Sequence, residues 1–404
     1  MNGMYQQVDQ QTLQAEFKEL EYVAADFLEK EDFESAAKCY RQLVVDDPYD
    51  ARAYYNLAII LHDLSKFAES LACYEQSIKL GYHNPARANL NTGMNYLKMG
   101  DFKRGFHYVD LKSDGAWRLG KNFAFNQERL SHIELWDGQS LEDKTILIYC
   151  EQGFGDNIQF SRYVSEVAKL GGKVVFSCYR ELYGIFKDSP ILKDVDVVQG
   201  GLQDISDVDF KIPLMSLPRV LEATIKNIPH ADGFLSKTYR KDWNLSSGGI
   251  NVALVWESSG LDTRRSIPLE TILPLCELPS VNMISIQKGS AMFDYRRNPE
   301  LKDLLPSVGE RIKDFSDTAD ILSQVDLLIS TDTAPIHMGG ALGIPTWGLL
   351  HYSADWRWFR ERDYPDTSPW YESVRIYRQK EPASWGEVVE RVKIDLKKMS
   401  SHWK

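Results

Sequence analysis

Residues 328–350 read LISTDTAPIHMGGALGIPTWGLL. An apolar run, Leu327-Leu328-Ile329, breaks at Ser330-Thr331-Asp332-Thr333, and a small-residue segment carrying one histidine follows. A short apolar run bounded by polar residues is the pattern of a buried parallel strand. Ala334-Pro335 suits the first turn of a helix, where proline's missing N–H costs nothing. The free N–H groups and positive dipole end of such a helix favour a phosphate. His337 falls four residues after Thr333, on roughly the same helical face. Small residues Gly339, Gly340, Ala341 and Gly343 permit close packing of helix on sheet. The stretch therefore fits both a capped helix and an anion site.

The same alternation of strand and helix extends in both directions. NVALVWES, NMISIQKG, LLISTD and TWGLL are strand-like, and SIPLETILPLCEL, DTADILSQVD and APIHMGGALG are helix-like. DWRWF and SWGEVVERVKIDLKKM close the chain. Upstream, TILIYC (145–150), KVVFSC and DVDVVQG alternate with IQFSRYVSEVAKLG and RELYGIFKDS. SSGG at 246–249 separates the two series. Short alternation of this kind marks α/β sheets. Two doubly wound α/β domains with a cleft between them fit better than one large sheet. Ligands in such folds sit beyond the carboxyl ends of the strands.

Before residue 140 the period is different. Phe33, Cys39 and Tyr40 recur 34 residues later as Phe67, Cys73 and Tyr74, and Phe102 follows Phe67 by 35. Ala36, Ala37, Ala58, Ala72 and Gly93 are expected to let helices approach closely, and Pro48 and Pro85 to end helices. This pattern resembles the tetratricopeptide repeat, whose helix pairs stack because none buries its apolar face alone. The aromatic positions (Tyr40, Tyr54, Phe67, Tyr74) fit packing, or a concave surface for a protein partner or acceptor.

The whole chain has 404 residues, enough for two to four domains at ~100–200 residues each. A net charge of −11 argues against a nucleic-acid backbone binder but leaves room for a local anion pocket. Five dispersed cysteines without C-x-x-C point to a cytosolic chain rather than a disulfide framework or zinc site. The polar N-terminus shows no signal peptide, and no apolar run is long enough to span a membrane.

Four strand-end loops carry the candidate chemistry. In Glu151-Gln152-Gly153-Phe154-Gly155-Asp156-Asn157, Gly153 and Gly155 let the backbone turn and approach a ligand. Asp156 suits either a helix cap or a general base. The loop is neither a Walker motif nor a dinucleotide fingerprint. In the loop 256–268, Arg264 and Arg265 precede a proline-started helix, and arginine forks onto phosphate oxygens. Gln287 and Lys288 follow a third strand, where Gln287 could meet a base or ribose edge. Asp332, Thr333, Ala334 and His337 form the fourth loop. Asp194/Asp196 and Asp207/Asp209 sit in strand-end and turn patterns and are not read as metal ligands.

Taken in order, Trp136-Asp137-Gly138, EQGFGDNIQFSRY, RRSIPL, SIQKG, DTADILSQVDLLISTDTAPIHMGGALGIPTW and DWRWFRERDYPDTSPWY resemble the bacterial tetratricopeptide-repeat glycosyltransferases. The catalytic region of that family is similar to the lipopolysaccharide heptosyltransferases, and the resemblance covers almost the whole chain. It implies repeat helices over 1–135 and a GT-B fold of two Rossmann-like domains. The acceptor-side domain would span 140–245, the nucleotide-sugar domain 250–380, and a C-terminal helix 381–404. It also implies a bacterial cytoplasmic enzyme that transfers a sugar from a nucleotide-diphosphate sugar to a protein or surface-glycan acceptor. Transfer would invert the anomeric carbon and use no metal or cofactor. On this likeness Asp156 matches the general base and Arg265 a residue meeting the diphosphate. Asp332, Thr333, Ala334 and His337 match the donor-binding loop and helix, and Gln287 a position near the nucleoside. The loop 257–263, ESSGLDT, departs from the family's small and basic residues, which bears on donor choice. The alternative is a non-catalytic repeat scaffold with a degenerate transferase region, and the intact set of Asp156, Arg265, Asp332, Thr333 and His337 favours the enzyme.

Overall fold

The computed structural model describes residues 18–111, 130–200, 204–258, 262–297 and 300–401. The N-terminal segment 1–17, the end of the third repeat copy at 112–129 and residues 259–261 lie outside them. The chain divides into two compact units. The first holds the N-terminal helices together with Asp355–Arg360 and Glu381–Ala383, and the second holds the α/β remainder.

The helices of the first unit span residues 18–29, Phe33–Asp46, Ala51–Asp63, Phe67–Lys79, Pro85–Lys98 and Phe102–Asp110. Their starts follow from short polar side chains. Asp32 accepts from Ser35 N (3.0 Å), Asp50 from Ala53 N (3.0 Å), Asn84 from Arg87 N (3.1 Å) and Asp101 from Arg104 N (3.1 Å). Each cap satisfies N–H groups that a helix cannot pair itself. Phe33, Phe67 and Phe102 each open a helix with a buried ring, so the repeat spacing marks one equivalent position. Gly93 sits where an added Cβ would lie 2.8 Å from the Gly105 carbonyl, which is why the helices can touch there.

Two expectations are corrected. Pro85 starts a helix rather than ending one, because position N1 needs no N–H. Ala72 is exposed, and the buried small positions of that helix are Ser70 and Ser77, the Ser70 hydroxyl donating to Ala58 O at 2.6 Å. A third finding concerns DWRWF, which belongs to the repeat unit. Trp356 meets Phe106 edge-on at 5.9 Å, Phe359 stacks on Phe102 at 6.0 Å, and Lys98 Nζ donates to Asp355 O at 3.1 Å.

In the second unit the chain forms two five-stranded parallel sheets. Strands β1 (Glu134–Leu135), β2 (Thr145–Tyr149), β3 (Lys173–Cys178), β4 (Asp196–Gln199) and β5 (Phe210–Pro213) lie in the order β1-β5-β2-β3-β4. Strands β6 (Ile250–Val255), β7 (Val281–Ser285), β8 (Leu327–Thr331), β9 (Thr346–Leu350) and β10 (Val374–Arg378) lie in the order β10-β9-β8-β6-β7. Every residue of β8 and β9 is buried, as parallel strands covered on both faces require. The helix Trp385–Ser401 lays Val388, Val389, Val392 and Leu396 onto the core of the second sheet. Such burial stabilises by about 1.5–3 kcal/mol for each large aliphatic side chain.

SIPLETILPLCEL is not one helix. It forms Leu269–Ile272 and then a 3-10 turn Leu273–Leu275, because Pro274 lacks the N–H that would continue the ladder. Among the described residues no helix is long and apolar enough to cross a membrane.

Candidate functional site

Strand order locates the site. In the first sheet the chain runs β2-β3-β4 to one side and then returns to β5 on the other. The switch therefore falls between β2 and β5. In the second sheet the switch falls between β6 and β8. A crevice opens beyond the carboxyl ends of strands at such points. The loops emerging there are 150–153 after β2, Trp256–Ser258 after β6 and Asp332-Thr333 after β8.

A cavity of about 280 Å³ occupies this region. Thr333, Ala334 and Pro335 line it with Glu257, Gln287 and Lys288, over an apolar wall that includes Val255, Ile286, Ile312 and Phe315. Phe154 and Glu181 enter from the first α/β domain, and Phe154 meets Phe315 at 5.1 Å. Thr333 is the N-cap of the helix Ala334–Ala341 in extended conformation, and its side chain makes no capping bond. Its hydroxyl instead donates to Thr331 O at 3.3 Å. The first N–H groups of this helix thus end at the cavity wall without a side-chain cap, and such groups favour an anion.

Arg265 stands beside that start. Its Nη1 donates to Asp332 O at 3.1 Å and lies 4.0 Å from Asp332 Oδ2. Asp332 is buried, and its charge also acts on Arg378, the last residue of β10. Burial pulls the Arg378 guanidinium down to about 10, against the opposing pull of Glu361 and Asp332. Gln287 is committed to structure. Its Oε1 accepts from Trp256 N and Glu257 N, both at 3.0 Å, and its Nε2 donates to Glu257 O (3.2 Å) and Lys288 O (2.8 Å). This saturates the amide, so Gln287 ties the loops after β6 and β7 together and presents a wall. Lys288 Nζ donates to Ile312 O at 2.6 Å.

Opposite lies the helix Phe154–Phe160, with Gly153 as N-cap. Asp156 is in its first turn, and its Oδ2 accepts from Gly153 N at 2.9 Å. Gly155 packs directly on the helix Ala334–Ala341. A Cβ there would lie 2.8 Å from His337 Cδ2 and 3.4 Å from Ala334 Cα. His337 is buried, and its Nδ1 meets the Tyr371 hydroxyl at 3.1 Å.

The structure thus brings Gly155, in the same turn as Gly153 and Asp156, against Ala334 and His337, and Arg265 against Asp332. Gln287, Thr333 and Ala334 share the cavity. Asp156, Arg265, Asp332 and His337 do not line it and flank it through Phe154 and Thr333. Sequence inspection passed over Arg378 and Tyr371. Arg378 was findable by the strand-end rule applied to β10, whereas Tyr371 ends the quoted DWRWFRERDYPDTSPWY stretch, in which nothing local points to His337. Among the described residues no group of three or more His, Cys, Asp or Glu is placed to hold a metal ion. Asp209 braces the sheet, accepting from Thr145 N and Lys144 Nζ at 2.9 Å each. In the repeat unit a groove of about 200 Å³ is lined by Tyr55, Ile59, His62, Tyr74, Arg87, Asn91 and Met94.

No family model matches the chain. Protein FlbA of Caulobacter vibrioides is 21% identical over 418 residues, spanning 87% of this chain and 68% of FlbA. Among solved structures, the glycosyl transferase family 9 protein from Veillonella parvula covers 66% of this chain and 100% of its own, at 11% identity and a TM-score of 0.46. The TPR2B domain of yeast Sti1, solved in a pHsp70 complex, covers 24% of this chain and 76% of its own, at 24% identity and a TM-score of 0.23. In fold the chain is a run of tetratricopeptide-type helix pairs followed by two α/β domains of the GT-B kind, each built on a five-stranded parallel sheet.

Proposed function

We propose that the α/β unit is a glycosyltransferase that moves a sugar from a nucleotide-diphosphate sugar to a protein or glycan acceptor, with inversion and without a metal. One observation carries this reading. The helix start Thr333-Ala334-Pro335, without a side-chain cap and beside Arg265, borders a nucleoside-sized cavity next to the Gly153–Asp156 turn. The nucleoside would occupy the cavity and its diphosphate would lie at the helix start. Departure of the diphosphate builds negative charge, which oriented N–H groups and a guanidinium stabilise without a divalent ion. Asp156 would take the proton of the acceptor hydroxyl as its oxygen attacks the anomeric carbon from the side opposite the diphosphate. The repeats would recruit the acceptor, with the Tyr55–Tyr74 groove as the surface available.

The test is incubation of the full chain with a panel of nucleotide-sugars, with and without EDTA, following sugar release or mass gain on co-expressed acceptors. At least one donor is expected to be consumed at the same rate in both conditions. No consumption of any donor would defeat the enzyme reading, and loss of activity in EDTA would defeat the metal-free mechanism.

A further inference from the structure

The turn 151–153, which joins β2 to the helix Phe154–Phe160, is gripped by one side chain of that helix. Asn157 is fully buried. Its Oδ1 accepts from Glu151 N at 3.1 Å, and its Nδ2 donates to Glu151 O and to Gly153 O, both at 2.7 Å. Both amide protons are therefore used on carbonyls. The network also fixes which end of the amide is which. The reverse orientation would set its oxygen against two carbonyl oxygens and its NH2 against an N–H. The carbonyl between them, Gln152 O, accepts from the Tyr179 hydroxyl at 3.1 Å. Three consecutive carbonyls of the turn thus accept from side chains.

What the grip enforces is visible at Gln152, whose φ is +63°. A residue other than glycine stays left-handed only where its surroundings over-determine it. Gln152 lies between the two residues that Asn157 holds, and its own carbonyl is held by Tyr179. The next residue, Gly153, has both of its polar groups committed. Its carbonyl takes the Asn157 backbone N–H at 3.2 Å as well as the side-chain amide, and its own N–H donates to Asp156 Oδ2 at 2.9 Å. The place of Gly153 N sets where the Asp156 carboxylate sits, and Asn157 sets the place of Gly153. Gly153 is itself exposed, so burial does not hold it there.

We propose that Asn157 is a positioning residue for transfer: by clamping Glu151 and Gly153 on either side of left-handed Gln152, it holds Gly153 N where that group fixes the Asp156 carboxylate. This rests on the transferase reading, in which Asp156 takes the acceptor proton. Asn157 acts through the backbone of the turn and not on the substrate. A base misplaced by about 1 Å forfeits much of its rate, so a residue behind the turn can govern turnover. Most of the cavity wall comes from the second α/β domain, so donor affinity should depend little on Asn157.

The test is amide hydrogen exchange at Gly153, read by NMR on the full chain labelled at its 26 glycines, with Gly153 assigned by loss of its signal in Gly153→Ala. Asn157→Ala is expected to speed exchange at Gly153 by at least ~10-fold, the scale of the lost hydrogen bonds, although Asp156, the acceptor of that N–H, is intact. In the transfer assay the same variant should lower kcat by about 10- to 100-fold with KM for the donor little changed. Asn157→Thr, whose hydroxyl donates once where the amide donates twice, should fall between wild type and Asn157→Ala on both readouts. It decides alone if Asn157→Ala does not fold. Unchanged exchange at Gly153 is the result for a residue that only stabilises the fold, and it overturns the proposal. Faster exchange with kcat unchanged overturns it as well. Exchange is read without any donor, so faster exchange in a chain that transfers no sugar even as wild type would defeat the enzyme reading and leave the hold on Gly153 standing.

Discussion

Asp156→Asn is expected to lower sugar transfer by ~10²-fold or more while leaving nucleoside diphosphate affinity nearly unchanged. Asp156 has two possible jobs, and this substitution separates them. One carboxylate oxygen already accepts from Gly153 N at 2.9 Å, holding the first turn of the helix Phe154–Phe160. Asparagine retains an acceptor oxygen and caps about as well, so the helix start and Gly155 against His337 should stay in place. What asparagine cannot do is take a proton at neutral pH. Asp156→Ala is the companion, since it removes both functions and should cost about 1 kcal/mol of stability through the lost cap. Turnover of Asp156→Asn equal to wild type, measured under saturating donor, would retire the base and leave Asp156 as a cap.

Arg265→Ala should weaken nucleoside diphosphate binding by about 10- to 100-fold, the worth of one or two hydrogen bonds to a charged group. The side chain is held at the helix start by its bond to Asp332 O, so the guanidinium is placed before any ligand arrives. Arg265→Lys should fall between, because a point charge replaces a fork that matches phosphate geometry. The free nucleoside, with no phosphate to meet, should bind wild type and Arg265→Ala alike. An equal loss for nucleoside and diphosphate on calorimetry would mean that Arg265 shapes the loop through Asp332 and does not meet the phosphates.

Much of this architecture could be read from spacing alone. The 34-residue recurrence of Phe33 at Phe67 marks equivalent helix starts, and the apolar runs at 145–149 and 327–331 became strands because parallel strands are apolar on both faces. Strand-end loops then drew attention to Asp156, Arg265 and Thr333. What stayed hidden depended on partners distant in sequence. DWRWF looks like a loop of the second sheet, but its rings pack with Phe102 and Phe106. Gln287 looks like a base reader until its four backbone bonds are seen. Tyr371 reaches His337 only because glycines at 155 and 340 leave space for both rings, and a glycine's neighbours cannot be read from its own segment. Pro85 and Pro274 show the local limit as well: proline forbids an N–H bond, but whether it opens a helix or interrupts one depends on the residues before it.

On the transferase proposal a diphosphate sits at the start of the helix Ala334–Ala341, held by N–H groups and Arg265 with no metal between. Calorimetric titration of nucleoside diphosphates into the full chain in EDTA tests it most directly, with the matching nucleosides as controls. One nucleoside diphosphate is expected to bind at least ~10-fold more tightly than its nucleoside, with the same affinity after magnesium or manganese is added. Binding that appears only with the divalent ion, or no difference between diphosphate and nucleoside for any base, would contradict it.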